Sequence, residues 1–148
     1  MSGVVGLMSE EPVNQLIYDA MLLLQHRGQN SAGIGTLDGL QVHVHKGLGL
    51  VTDVFRTRDM RFLTGNWGIG HCRYPTPVTA KSNEESQPFY VNMPYGILFS
   101  HAGNLTNADE LKEELYDVDL RHINTMGMAL RLRNQSVYRK YILLYTLR

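Results

Sequence analysis

One cysteine, Cys72, stands in a chain of 148 residues. That count excludes an internal disulfide and a multi-cysteine zinc site, and it makes a reducing cytoplasm the expected compartment. No apolar run approaches the ~20 residues that a membrane span needs. A signal-peptide core is missing as well, because Glu10 and Glu11 interrupt the N-terminus. The "GLGL" at 47–50 is not expected to be a nucleotide-binding turn. Neither metal nor cofactor is expected. His43 and His45 alternate with Val42 and Val44 on one face of a strand, but no third and fourth ligand goes with them, and a solvated face is expected there. Cys72 is expected to be a small buried residue and Trp67 part of the core.

Acidic residues also run out. Up to Thr125 there are 9 Lys and Arg against 14 Asp and Glu, a balance of −5. From Met126 to Arg148 there are 5 basic residues and no acid, a balance of +5. Leu143, Leu144 and three tyrosines are interleaved with that charge. This pattern fits a packed basic segment better than a nucleic-acid tail, so neither nucleic acid nor membrane is an expected partner. The 43% hydrophobic and 19% charged fractions are those of a soluble globular domain.

The patterning predicts a strand at 3–7. Val13, Leu16, Ile17, Ala20, Met21 and Leu24 recur at helical spacing, giving an amphipathic helix from Pro12 to Gln25. "SAGIGT" and "LQVHVHKG" about the Asp38-Gly39 turn read as a hairpin. A short helix follows at 51–62, then a strand through "WGIGHCRY", a loop to Ser86, and strands in "QPFYV" and "GILFSHAG". Asn107 and Glu110 form the capping signature of a further helix. Strands and hairpins without regular βαβ alternation predict an α+β domain whose helices cover antiparallel sheet.

A strand that starts directly after Met1 and Ser2 raises a chemical possibility. A methionine before a small residue is readily removed, which exposes Ser2. A terminal hydroxyl can then act as nucleophile with its own α-amine as base.

Four stretches together carry a resemblance: "SGVVGL", "LQHRGQNSAGI" (24–34), "GIGHCRYPT" (68–76) and "SHAGNLTNADEL" (100–111). With "EPVNQLIYDA" and "QPFYVNMPYGI" between them, residues 1–125 closely resemble the N-terminal glutaminase domain of bacterial amidophosphoribosyltransferase. This is a class II glutamine amidotransferase of the N-terminal-nucleophile hydrolase type. The resemblance implies a four-layer α/β/β/α sandwich of two antiparallel sheets. It also implies glutamine as substrate, hydrolysed to supply ammonia for phosphoribosylamine formation in purine synthesis. Arg73 matches the arginine that pairs with the glutamine α-carboxylate, a bidentate task suited to guanidinium. Tyr74 and Thr76 match its neighbours in the glutamine pocket, and Arg27 and Gly28 match the turn beside the nucleophile. Gly103 matches the glycine whose backbone N–H is one of two oxyanion donors.

Three departures fall on chemistry. The family has cysteine where Ser2 stands, and a hydroxyl needs much stronger activation than a thiol. Ala102 replaces the asparagine of the family's "HNGN", whose side chain is the second oxyanion donor; losing such a donor costs roughly 100- to 1000-fold in rate. The family's "TTSDSE" should follow "RHINT" (121–125), and its aspartate holds the substrate ammonium; here Met128 lies near that place. Three readings are open: an active glutaminase using Ser2 with its own amine as base; a domain that keeps the fold without the activity, either a partner-binding pseudoenzyme or a truncated, non-productive protein; and a domain that binds glutamine or an analogue through Arg73 without turnover. The second is preferred.

Resemblance and charge both change near residue 126, so the chain divides into an amidotransferase-like domain at 1–125 and a divergent basic tail at 126–148. If Leu130–Asn134 is encoded CTC CGA CTC CGA AAY, reading one base on spells Ser-Asp-Ser-Glu, the missing motif, which makes the tail a candidate frameshift product. A replaced tail would leave a sheet edge uncovered. No acidic pair followed by a phosphate loop occurs, so the phosphoribosyltransferase domain is absent from this chain.

Overall fold

Strand β1 (Gly3–Met8) begins one residue after Ser2 and runs antiparallel to β4 (Trp67–Arg73), with Gly3 opposite Cys72 and Met8 opposite Trp67. The computed structural model describes residues 2–75, 83–91, 97–103, 113 and 142–145. On its other side β4 pairs antiparallel with β2 (Ser31–Asp38), and β2 pairs with β3 (Gln41–Leu48), giving the order β1-β4-β2-β3. The β2–β3 connection is the two residues Gly39 and Leu40, and Gly39 takes φ +58°, the left-handed conformation that tight hairpins require.

The two faces of this sheet bury different things, because successive side chains of a strand point opposite ways. On the outer face lies helix α1 (Asn14–Leu24), which brings Val13, Ile17 and Met21 onto Ala32, Ile34 and Cys72. Gly70 lets it settle there: a Cβ at that position would come within 2.5 Å of Met21 Sδ. Helices α2 (Val51–Val54) and α3 (Thr57–Phe62) complete the cover with Val51, Val54, Phe55 and Leu63.

On the inner face lies a second antiparallel sheet of β5 (Phe89–Val91), β6 (Ile97–Ser100) and β7 (Ile142–Tyr145). Leu98 and Pro88 contact the sheet at Gly35, where a Cβ would come within 2.7 Å of Leu98. These layers are the helix–sheet–sheet part of the expected sandwich; the helix predicted from Asn107 lies outside the described residues, apart from a helical Glu113. β7 comes from the basic tail and pairs with β6 from Ile97↔Tyr145 to Ser100↔Ile142. The edge expected to be uncovered is therefore paired on that side.

Several expectations are corrected. The single helix at 51–62 is two, because Phe55 and Arg56 are extended. The break buries Phe55 edge-on to Tyr18, and Asp59 accepts the Arg56 backbone N–H at 3.1 Å to restart the helix. Helix α1 starts at Asn14 and not at Pro12. Trp67 is 39% exposed at the first position of β4, beside Met8 and Leu37, so it is not core. His43 and His45 are not on a solvated face, because α2 and α3 fold over it. His43 lies edge-on to Phe62 and 3.2 Å from Thr64 Oγ1, while His45 Nε2–H donates to the Val54 carbonyl at 3.0 Å. Among the described residues no cluster of three or more potential ligands could hold a metal ion.

Candidate active site

The β1–β4 register places Ser2 just past the Gly3–Cys72 pair, beside Arg73, and the β2–β4 register places Ser31 on the other side of Arg73. These three side chains belong to the inner face by the alternation of the strands. Ser2 is tied at two points. The Tyr74 backbone N–H donates to Ser2 Oγ at 3.0 Å, and Arg27 Nε donates to the Ser2 carbonyl at 3.3 Å. Ser2 is thereby fixed to β4 and to the turn that ends α1.

That turn, Gln25–Arg27 in 3-10 geometry, is followed by Gly28, which lies directly on β4. A Cβ at Gly28 would come within 2.4 Å of the Arg73 carbonyl carbon and 2.6 Å of the Cys72 oxygen. Its backbone is extended, so close approach and not conformational freedom explains the glycine. Gln25 braces the turn, donating through Nε2 to the Gly28 carbonyl and accepting the Val51 N–H at 2.7 Å. Asn30 accepts from Arg73 Nη1 at 3.2 Å and donates its backbone N–H to the Arg73 carbonyl at 3.1 Å. His26, Gly28, Gln29, Asn30, Tyr74 and Pro75 line an open cleft of about 410 Å3 beside the tethered Ser2.

Electrostatics follow from burial. Arg73 is 6% exposed, and desolvation moves its guanidinium below the ordinary value while Glu85 acts the other way. His71, two residues back on the same face, is pushed down to about 3. Burial is the main cause; the nearby His101 backbone opposes it, and the charges of His101 and Arg73 add to it. Neither ring nitrogen of His71 has a hydrogen bond of full geometry among the described residues. Burial also lowers His101. Cys72, on the outer face against the Met21 carbonyl, is buried as expected, and desolvation raises its thiol to about 11.

The comparisons bear on this arrangement. No family model matches the sequence. The amidophosphoribosyltransferase of Pseudomonas aeruginosa is 53% identical over 125 residues, covering 84% of this chain and 25% of that protein. The amidophosphoribosyltransferase of Escherichia coli is 56% identical over 126 residues, with the same shares. The chain is homologous to the N-terminal part of amidophosphoribosyltransferases, consistent with their glutaminase domain. It spans about a quarter of the length of these relatives, the N-terminal quarter. Two solved structures share the fold. One is a B. subtilis glutamine phosphoribosylpyrophosphate amidotransferase complexed with ADP and GMP, at TM-score 0.74 and 32% identity over 88% of this chain and 28% of that one. The other is described as the allosteric regulatory enzyme of purine biosynthesis, at TM-score 0.75 and 35% identity over 84% of this chain and 27% of that one.

Of the amidophosphoribosyltransferase-like residues singled out in the sequence, the structure gathers Ser2, Arg27, Gly28, Arg73 and Tyr74 at one end of β4. Ala102 and Gly103 lie exposed beyond the end of β6, and no bond joins them to Ser2 among the described residues. Met1, Thr76 and Met128 lie outside the described residues. Sequence reasoning missed Asn30, although it stands inside the quoted "HRGQNSAG" stretch. It also missed Gln87, whose partners are 13 and 14 residues away.

Proposed function

We propose that this chain is the glutaminase-type domain of an amidophosphoribosyltransferase, working in the cytoplasm in purine synthesis, and that it holds glutamine but hydrolyses it poorly. The observation that carries this reading is the tether of Ser2 Oγ to the Tyr74 N–H, next to buried Arg73 and at the side of an open cleft. The glutamine α-carboxylate would pair with the Arg73 guanidinium, leaving the side-chain amide to reach Ser2.

In the reaction, Ser2 Oγ would attack the amide carbon while its proton passes to the α-amine of Ser2, freed by removal of Met1. The oxygen that gains charge would take the Gly103 N–H. Ala102 offers no side-chain donor beside it, and that loss costs roughly 100- to 1000-fold. Collapse would release ammonia and leave a γ-glutamyl ester on Ser2, which water then cleaves to glutamate. Met128 in place of an acid leaves the substrate ammonium unpaired, which weakens recognition. Use of the ammonia in phosphoribosyl transfer would need a domain outside the aligned quarter. The segment 126–148 reads as a replaced tail, and the coding DNA tests it: the shifted frame should yield a recognisable amidotransferase downstream.

Calorimetric titration with glutamine beside an ammonia-release assay tests the main reading. Saturable binding with little ammonia is expected. No binding, or turnover like that of a cysteine-dependent glutaminase, would sink it. N-terminal mass analysis gives a separate check, since retained Met1 blocks the amine.

A further inference from the structure

The nucleophile position and the oxyanion turn are on different sheets, so something must fix one against the other. We propose that Gln87 is that positioning residue: it is seated on the sheet that carries Ser2 and hands its side-chain oxygen to the turn that carries Ala102 and Gly103. Gln87 Oε1 accepts the His101 backbone N–H at 2.6 Å and the Ser100 hydroxyl at 3.3 Å. β6 ends at Ser100, so His101 is the first residue past the strand, where ladder bonding stops. A side chain supplies the acceptor that a neighbouring strand would otherwise give.

Gln87 can do this because its own backbone is fixed from several sides. Its carbonyl rests on Gly33 of β2, where a Cβ would come within 1.9 Å of the Gln87 oxygen. Any side chain at residue 33 would lift Gln87 off the first sheet. Lys46 of β3 reaches over the inner face and donates through Nζ to the carbonyls flanking Gln87: Ser86 at 2.6 Å and Pro88 at 3.4 Å. The same ammonium lies 5.0 Å from the centre of the Phe89 ring. Asn83 accepts both the backbone N–H and the hydroxyl of Ser86. Glycine, lysine and the Asn83 turn thus hold a carboxamide whose oxygen sets where the 101–103 backbone begins. A donor misplaced by about 1 Å can cost on the order of 100-fold in rate. Positional control of this turn is therefore a catalytic quantity, although Gln87 touches no substrate.

The inference deepens the glutaminase reading and rests on it for its kinetic consequence, so the test has two arms. The first is amide hydrogen exchange in the full chain. Gln87→Met removes the acceptor at similar size, and Gln87→Glu keeps it. In Gln87→Met the His101 amide should exchange about tenfold faster, while the amides of Ile69 and Gly70 in β4 stay as protected as in the parent. Gln87→Glu should restore His101. Should Gln87→Met fail to fold, Lys46→Met loosens the same segment and should also speed exchange at His101. The second arm uses the Ser2→Cys/Ala102→Asn background, where Gln87→Met should lower kcat by roughly 100-fold with KM for glutamine nearly unchanged. Unchanged His101 exchange overturns the proposal, as does uniform acceleration through both sheets or a change confined to KM. A double-substituted background with no turnover counts against the glutaminase reading instead, and His101 exchange then decides on Gln87.

Discussion

The Tyr74 backbone N–H donates to Ser2 Oγ at 3.0 Å, across 72 positions of sequence. This bond extends the β1–β4 contact one residue past the Gly3–Cys72 pair. The β1–β4 ladder thus ends on a side-chain bond that fixes the hydroxyl. The donated proton occupies one lone pair of Oγ and would stabilise negative charge there. Use of that hydroxyl as a nucleophile would depend on a free α-amine, while the donor missing at Ala102 would bear on the substrate oxygen and not on Oγ.

Gly28 tests how tightly that end of β4 is built. Gly28→Ala puts a methyl into the Arg73 and Cys72 carbonyls. It should lower stability by about 1–3 kcal/mol and weaken glutamine binding by displacing Arg73. Urea unfolding with calorimetry checks both, and a variant matching the parent in both would show that the turn is slack.

His71 makes stability depend on pH. Its folded pKa of about 3 lies below the ordinary 6.5, so the unfolded chain takes up the proton first. Stability is therefore complete above pH 6.5 and falls as pH drops toward 3, and burial of His101 acts in the same direction. The expected loss from His71 is about 2 kcal/mol by pH 5, in a window where carboxylates still contribute little. Urea midpoints between pH 7 and pH 5 measure it. His71→Gln, which does not titrate, should flatten the slope, and an unaltered slope would contradict the assignment.

Cys72 reports unfolding. With its thiol buried and raised to about 11, alkylation at pH 8 should be roughly 100-fold slower in the folded protein than in urea. Rapid labelling of the native chain would mean that α1 lifts readily from β4.

Local signals were the legible part of the fold. The β2–β3 hairpin shows in its alternation and its Asp-Gly turn, and α1 shows in its apolar spacing, because both are contained in short windows. His43 and His45 were misread because their cover comes from 51–62, which folds back over β3; alternation alone cannot say what lies on a face. Phe55 broke a helix for a burial site that no window displays. For the site, Arg73, Tyr74 and Gly28 were recognisable only as members of a motif. The physical reason for Gly28, two carbonyls of a strand 44 positions on, has no local trace. Gln87 was unreadable for the same reason, since its work is to join two sheets.

The most direct measurement of the central claim is steady-state ammonia release from glutamine by the parent chain and by Ser2→Cys/Ala102→Asn. If the fold holds a glutaminase site whose chemistry is limited by the missing thiol and oxyanion donor, kcat should rise by at least roughly 100-fold. KM should stay high, because the substrate ammonium still lacks its acid. A parent already as fast as the double variant, or a double variant no faster than the parent, would contradict it.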